Sequence, residues 1–161
     1  AVVKPLVGSW GRLVTKVSSP ETAAAVMEHL DALPHPTSHL VYAQQAVPRA
    51  DYDIRVIVID GVAIAASRRT SDDFRTNVAR GGISSPLPLT SPISELAVAA
   101  ADAVGATIAG VDLICDQDGH LWVIEVNDRV EFKGLQQAHS EHIDIAAAIV
   151  EALIKPRENA A

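Results

Sequence analysis

The chain has 161 residues, 48% hydrophobic and 20% charged, which suits a domain with an apolar core and excludes a disordered segment. Its formal net charge of −7 argues against a nucleic-acid-binding protein, because Lys and Arg are not in excess to pair with phosphates. Apolar runs stay short of the ~18 residues that a membrane span needs, and the single cysteine, Cys115, suits a reducing cytosol, so we expect a cytoplasmic protein.

Apolar runs bounded by turn residues predict an antiparallel sheet built from hairpins. In chain order, the predicted strands are 1–6, 13–17, 40–47, 53–60, 62–69 and the two arms of 110–127. A tight turn at 8–12 joins the first two. The Asp60-Gly61 pair is a strong hairpin signal, since both residue types tolerate the left-handed conformation of a two-residue turn.

Three helices are predicted between these strands. The first begins at Ser19-Pro20 and ends before Pro34, and the second begins at Ser91-Pro92 and ends at Gly105. The third begins near Ser140 or His142 and ends before Pro156; its predicted buried face comprises Ile143, Ala146, Ala147, Val150 and Leu153. Residues 71–90 show no sustained period and are predicted to form a long irregular loop. The predicted fold class is α+β, an antiparallel sheet of hairpins with packed helices.

The 110–127 hairpin carries a candidate metal site. A two-residue turn at Asp118-Gly119 would place Asp112 directly opposite Glu125, with Asn127 two residues further along the same face. Two carboxylates and an amide oxygen are ligands that Mg²⁺ prefers, and the carboxylates would repel each other without a cation. The same alternation fits a solvated sheet face on which the carboxylates never meet.

The first predicted hairpin has features of a phosphate-binding loop. Lys4 lies near the end of an apolar strand, and a Gly-x-x-Gly turn follows at 8–11. Glycine lets backbone N–H groups approach phosphates, while lysine supplies a point charge. A plain hairpin with an exposed lysine fits the same residues.

The 68–82 segment, RRTSDDFRTNVARGG, is rich in arginine. Its Arg80-Gly81-Gly82 run, after Asn77, could clamp a phosphate or a carboxylate bidentately. The alternative is a solvated loop whose arginines balance Asp72 and Asp73. A phosphate loop, an arginine loop and an acidic metal site in one domain together indicate a magnesium–nucleotide site.

These motifs resemble the catalytic part of RimK-like ATP-grasp carboxylate–amine ligases. KPLVGSWGR, QQAV, DIRV, RTNVARGG, GVDL and EVN follow one another in that family's order over residues 2–127. The resemblance implies an ATP-grasp catalytic domain that binds ATP and Mg²⁺, with Mn²⁺ as an alternative. It also implies a reaction in which an amide forms through an acyl phosphate.

GSWGRL (8–13) and the Glu131-Phe132-Lys133 triplet resemble the LysX type within that family. This type joins 2-aminoadipate or glutamate to the C-terminal glutamate of a small acidic carrier protein in lysine or arginine biosynthesis. The alternatives are another RimK-like glutamate ligase, a peptide-tailoring ligase, or a non-catalytic nucleotide-binding module. The net charge of −7 is unfavourable for an acidic carrier unless basic residues cluster locally.

The resemblance also implies roles for individual residues. The phosphate-contacting residues would be Lys4, Gly8, Ser9, Trp10, Gly11 and Arg12. The segment that connects the two lobes of the fold, and whose backbone would contact adenine, would be Gln44, Gln45, Ala46 and Val47. The family usually has Gln-Glu where this chain has Gln44-Gln45. Asp53 would approach the ribose.

The remaining implied roles concern chemistry and the second substrate. The groups holding the γ-phosphate and the acyl phosphate would be Arg69 (or Arg68), Asn77 and Arg80. The metal ligands would be Asp112, Glu125 and Asn127. The amino-acid-selecting residues would be Glu131, Phe132 and Lys133.

The resemblance further predicts that the chain is part of a longer protein. Residues 1–155 would form a partial ATP-grasp domain, which an N-terminal domain and the start of the fold would precede. Residues 156–161 would be a flexible tail. The full-length protein would be a homo-oligomer.

Overall fold

The computed structural model describes residues 1–6, 11–72, 74–77, 81–139 and 143–155. The chain divides into two units, Ala1–Pro48 and Arg49–Ala161. Among the described residues, no helix is long and apolar enough to cross a membrane.

The first unit consists of a three-stranded antiparallel sheet and one α-helix. The strands are β1 (Val2–Pro5), β2 (Thr15–Lys16) and β3 (Val41–Gln44), in the order β2-β1-β3. Helix α1 (Pro20–Asp31) begins as predicted, because the Ser19 hydroxyl accepts from the Thr22 amide and Pro20 occupies the first turn. A short 3-10 turn follows at Pro36–His39. None of the described residues of this unit is fully buried.

The second unit is built on a five-stranded antiparallel sheet. Its strands are β4 (Tyr52–Ile59), β5 (Val62–Thr70), β6 (Ile83–Leu87), β7 (Ile108–Cys115) and β8 (Leu121–Asn127), in the order β6-β5-β4-β7-β8. Its helices are α2 (Ser91–Ala103), α3 (Lys133–Ala138) and α4 (Ile145–Ile154). The predicted Asp60-Gly61 turn is confirmed, with φ of 47° and 74°.

Both faces of this sheet carry an apolar core. On one face, buried residues such as Val56, Ala66 and Val111 pack against α2. On the other face, Ile57 and Ala65 pack with Leu135 of α3 and Ile145 of α4. The apolar residues of this second core occupy only one end of that sheet face. Polar and charged residues of β4, β5 and β7 occupy the other end.

The prediction of an irregular loop at 71–90 is partly wrong, because strand β6 lies within this segment. β6 pairs antiparallel with β5, from Thr70↔Ile83 to Ala66↔Leu87. Ser-Ser-Pro lacks the apolar alternation of a strand, and Pro86 cannot donate to a ladder. An edge strand tolerates this, since only one of its sides is paired.

The predicted buried face of the last helix is wrong except for Ile143, which precedes the helix and packs against the second core. In α4 the residues turned to the core are Ile145, Ala148, Ile149 and Ala152, whereas Ala146, Ala147, Val150 and Leu153 are exposed. The sequence IAAAIVEALI is apolar all round, so its period could not select a face. The start is fixed instead by Asp144, whose side chain accepts from the Ala147 amide, and by Gln136 of α3, whose Oε1 accepts from the Ile145 amide at 2.7 Å.

Candidate active site

A row of charged side chains lies on the same sheet face as the second core, at the end of that face that is polar. The register places Asp53 opposite Arg69 on β5, and Arg55 opposite both Ser67 on β5 and Asp112 on β7. Directly opposite residues of antiparallel strands share a face, so these side chains lie together. Arg69 and Asp112 are 6% and 4% exposed, so the charges depend on one another for stabilisation.

Arg69 is held between two carboxylates. Its Nε and one Nη lie 2.6 and 2.8 Å from the two oxygens of Asp53, and the same Nη lies 3.0 Å from Asp112. Burial lowers the pKa of Arg69, but Asp112 and Asp53 outweigh burial and raise this pKa above its ordinary value. The Thr76 hydroxyl also donates to Asp53. Arg69 is therefore a fixed cation.

Arg55 approaches Asp112 from the other side. One Nη donates to Oδ2 of Asp112 at 3.0 Å, and Nε lies 2.5 Å from Oδ1 without the alignment of a hydrogen bond. Gly110 makes room for this guanidinium, because a Cβ at that position would lie 2.6 Å from the other Nη of Arg55. Glycine is required here by a side chain and not by its own backbone conformation.

Asp112 is the central acceptor of the row. Burial raises the pKa of its carboxyl group; Arg69 and Arg55 oppose this shift, and Glu125 adds to it. Oδ1 of Asp112 is buried and accepts no hydrogen bond. A buried carboxylate oxygen with an unused lone pair fits a cation ligand, so the residues present suit a metal.

The predicted pairing of Asp112 with Glu125 is confirmed, although the two-residue turn from which it was predicted does not form. Asp116 and His120 close a three-residue loop in which Gly119 has a φ of 86°, so near the loop Leu113 faces Val123. Ile124 is then an extra residue, a β-bulge that shifts the register by one. The bulge places Glu125 opposite Asp112, where an unbroken ladder would place Ile124.

Asn127 joins Glu125 as the alternation predicts. Its Nδ2 donates to Oε1 of Glu125 and to the Gly110 carbonyl, both at 3.2 Å. With the nitrogen held in this way, the amide oxygen is the group left for a cation. Asp112, Glu125 and Asn127 thus lie on one face of the paired strands, with Glu125 opposite Asp112 and Asn127 two residues further along β8.

The predicted nucleotide-binding residues lie mainly in the first unit. Lys4 on β1 is paired with Tyr42 on β3, and its Nζ lies 5.8 Å from the centre of the Tyr42 ring. Gly11 has a φ of 64°. Gln44 ends β3, and Gln45, Ala46, Val47 and Arg12 lie in connecting segments of the chain. Gly8, Ser9 and Trp10 lie outside the described residues.

The arginine-rich segment contributes unequally to the row. Arg69 belongs to the row, whereas Arg68 points to the opposite face and stacks 4.2 Å from the ring centre of Tyr52. The Asn77 carbonyl accepts from the Gly82 amide at 3.3 Å, and a Cβ at Gly82 would lie 2.3 Å from the Thr76 carbonyl. Residues 76–77 and Gly82 are therefore in close backbone contact. Arg80 lies outside the described residues.

The Glu131-Phe132-Lys133 triplet lies at the start of α3. Phe132 packs against the core formed with Ile57 and Leu135, which gives it a structural role whether or not it contacts a substrate. Glu131 and Lys133 are exposed.

Three members of the row were not predicted from the sequence. Arg55, Ser67 and Thr76 were assigned no role, although Arg55 lies in the DIRV motif and Thr76 in the RTNVARGG motif. The period of two could have identified Arg55, because it lies two residues after Asp53 in β4 and therefore on the same face.

The sequence matches the model of the RimK-like ATP-grasp domain over residues 1–153. The chain belongs to the RimK-like ATP-grasp family. It is 30% identical over 143 residues to the α-aminoadipate–LysW ligase LysX of Saccharolobus solfataricus, which covers 88% of this chain and 52% of that protein. It is 35% identical over 153 residues to the tetrahydromethanopterin:α-L-glutamate ligase of Methanococcus maripaludis, covering 93% and 51%. The chain thus spans about half the length of these relatives.

Solved structures of ATP-grasp proteins share the fold. A RimK domain ATP-grasp protein of Sphaerobacter thermophilus matches with a TM-score of 0.70 at 21% identity, over 96% of this chain and 53% of that one. The ATP-grasp ligase PsnB, solved with Mg, ADP and a phosphomimetic variant of its minimal precursor, matches with a TM-score of 0.69 at 26% identity. That match covers 95% of this chain and 45% of PsnB. The predicted α+β ATP-grasp fold is confirmed.

Proposed function

We propose that the chain is part of an ATP-dependent carboxylate–amine ligase. A substrate carboxylate attacks the γ-phosphate of ATP, giving an acyl phosphate and ADP, and an amine then displaces phosphate to form an amide. The observation that carries this proposal is the buried row of Asp53, Arg69, Arg55 and Asp112, ending at Glu125, in a RimK-like ATP-grasp domain. No side chain in the row needs to act as a nucleophile, because phosphoryl transfer depends mainly on positioning and charge.

Asp112, Glu125 and Asn127 are the residues that would hold Mg²⁺. All three offer oxygen, and Oδ1 of Asp112 is buried without a hydrogen bond. Bound there, Mg²⁺ would offset the negative charge of the ATP phosphates. The relative PsnB, solved with Mg and ADP, supports this choice of metal and nucleotide.

The two arginines would have different roles. Arg69 is tied to Asp53 through both oxygens, so its main task is to hold Asp112 in place. Arg55 has a third nitrogen, Nη1, over Gly110, and is the more available of the two for a developing negative charge. Asn77 and Arg80 remain proposed phosphate contacts, and Asp53 remains a proposed ribose contact.

For the second substrate we propose 2-aminoadipate or glutamate, joined to the C-terminal glutamate of a small acidic carrier protein. LysX of S. solfataricus supports this, since its name specifies α-aminoadipate and LysW. A glutamate ligase for another acceptor is the second candidate, because the M. maripaludis ligase is 35% identical. Both candidates join an acidic α-amino acid.

The test is ADP release by the protein with Mg²⁺, a panel of carrier proteins, and glutamate or 2-aminoadipate. We expect turnover with one carrier and a loss of about a hundredfold or more in Asp112→Asn and Glu125→Gln. Asp51→Asn, a change at an exposed carboxylate outside the row, is the matched control and should leave turnover unchanged. Turnover that survives both substitutions would contradict the metal site. No turnover with any acidic carrier would contradict the carrier assignment.

A further inference from the structure

Among the described residues, the buried polar side-chain atoms without hydrogen bonds lie on one face of the second unit's sheet. In the part of the chain that the structure describes, four buried side-chain polar atoms lack a hydrogen-bond partner: Arg55 Nε, Asp112 Oδ1, Ser67 Oγ and Ser84 Oγ. The first two are in ionic contact with each other at 2.5 Å. The two serine hydroxyls have no such contact and remain to be explained.

Register places both serines on the face that carries the charged row. Ser67 is opposite Arg55, and Ser84 on β6 is opposite Arg69. Ser67 is 1% exposed. The neighbouring Ser85 is opposite Arg68 on the other face, where its hydroxyl contacts the Arg68 carbonyl at 3.5 Å. Of these three serines, the two that face the row are the unsatisfied ones.

A buried hydroxyl without a partner costs stability, because it has lost water and gained nothing in return. Alanine fits the same space without that cost. Two such hydroxyls in diagonally adjacent positions, next to Arg55 and Arg69, suggest that their partner is a bound molecule.

We propose that Ser67 and Ser84, together with Arg55, form a subsite for a carboxylate group of the acceptor substrate. This proposal rests on the proposed ligase function, and it adds the residues that select the substrate class. The subsite lies beside Asp112, so the bound carboxylate would be held next to the proposed cation ligands.

Charge favours a carboxylate over a phosphate here. Arg55 and Arg69 are already balanced by Asp53 and Asp112, so these four side chains sum to zero. Two neutral hydroxyls and a partly neutralised guanidinium suit a group with a single negative charge. A multiply charged phosphate would need uncompensated cations at the same place.

The first test measures ligand binding by thermal stability in the unsubstituted protein, Ser67→Ala, Ser84→Ala and the control Ser85→Ala. L-Glutamate is the carboxylate probe, because the acceptor carboxylate of the proposed carrier belongs to a C-terminal glutamate, and inorganic phosphate is the phosphoryl probe. Without ligand, we expect both serine variants to be at least as stable as the unsubstituted protein. With L-glutamate, we expect about a tenfold loss of affinity in each variant and no loss in Ser85→Ala, while phosphate affinity stays unchanged.

Several outcomes would overturn the subsite. Equal glutamate affinity in Ser67→Ala and Ser85→Ala is one, and a loss of phosphate affinity alone is another. Destabilisation of the ligand-free Ser67→Ala protein is a third, because it would show that the hydroxyl is already satisfied. No stabilisation of the unsubstituted protein by glutamate is a fourth.

The second test is kinetic and separates this proposal from the proposed function. Ser67→Ala should raise KM for the carboxylate substrate about tenfold in the ADP-release assay and leave KM for ATP unchanged. A rise in KM for ATP alone would overturn the subsite. Absence of ADP release from the unsubstituted protein would contradict the ligase function, and the binding measurements would still decide on the subsite.

Discussion

At the scale of single residues, the site depends on Asp112 being shared by two guanidinium groups. Arg55 contacts both of its oxygens and Arg69 contacts Oδ2, all within 3.0 Å, and Asp53 holds Arg69 from the other side. A buried carboxylate needs such partners, because desolvation alone would favour its neutral form. The two guanidinium groups therefore oppose the rise in the pKa of Asp112 that burial causes.

Removing the charge of Asp53 should destabilise the fold. In Asp53→Asn, Arg69 loses the carboxylate that holds it through two nitrogens, while both side chains stay largely buried. We expect the free energy of unfolding to fall by about 3–5 kcal/mol, since breaking a buried ion pair leaves an uncompensated charge. Urea denaturation measures the loss. If Asp53→Asn lowered the free energy of unfolding no more than the exposed control Asp51→Asn does, that result would contradict a stabilising role for the pair.

Gly110→Ala should separate activity from folding. The added Cβ would lie 2.6 Å from a terminal nitrogen of Arg55, and a flexible side chain can move away where a backbone cannot. We expect a stability loss of about 1 kcal/mol but a loss of turnover near that of Arg55→Ala, because both changes remove Arg55 from Asp112. A double-mutant cycle checks this expectation. Additive losses of turnover would contradict the proposed dependence on Arg55.

At the scale of elements, the β7–β8 hairpin shows how irregularities set a site. Its three-residue loop and the bulge at Ile124 each shift the register by one, and the shifts cancel at Asp112. A two-residue turn with no bulge predicts the same pairing, so the predicted partner is right although the predicted geometry of the hairpin is wrong. The loop itself is organised by Asp116, which accepts from the amides of Asp118 and His120 and from the Trp122 indole.

The Asp116–Trp122 contact should make the hairpin sensitive to acid. The Trp122 hydrogen bond is the main cause that holds the pKa of Asp116 below its ordinary value of 3.8. A lowered folded-state pKa stabilises the fold while the group is ionised, so the contribution is complete above pH ~4 and is lost as pH falls through the lowered pKa. Asp116→Asn should therefore melt at a lower temperature at pH 7, and the difference should shrink as pH falls below 3.8.

Thermal melts followed by tryptophan fluorescence measure this difference at several pH values. Asp118→Asn is the control, because the Asp118 side chain is exposed and Asp116 is bonded to its amide only. A difference between Asp116→Asn and the unsubstituted protein that is constant with pH would contradict the assignment.

At the scale of the whole molecule, the two units differ in how they are stabilised. The second unit has a core on each face of its sheet, with Val56, Ile57 and Val111 fully buried. In the first unit, none of the described residues reaches that burial, and α1 buries none of its side chains fully. Burial of apolar surface is the main source of stability, so the two units should differ in local stability.

Hydrogen exchange should reveal this difference directly. We expect the amides of β4 and β7 to be the most protected in the chain, and those of β1, β3 and α1 to exchange at least about a hundredfold faster. Mass spectrometry of peptides from each unit measures the rates. Equal protection in the two units would contradict the expectation and would indicate that the first unit has stabilising contacts beyond those described.

The sequence by itself determined the elements that local chemistry controls. Ser19-Pro20 begins a helix, Asp60-Gly61 forms a turn, and the order of short motifs indicated the RimK-like family. These features depend on backbone preferences and on residues close in the chain. Tertiary structure alone decided which side chains meet. Strand pairing brings Arg55 to Asp112 and places Ser67 and Ser84 beside the row. Packing on the sheet determines which face of α4, a helix that is apolar all round, is buried. Such contacts depend on pairing between strands far apart in sequence and on competition for one core, which no local pattern records.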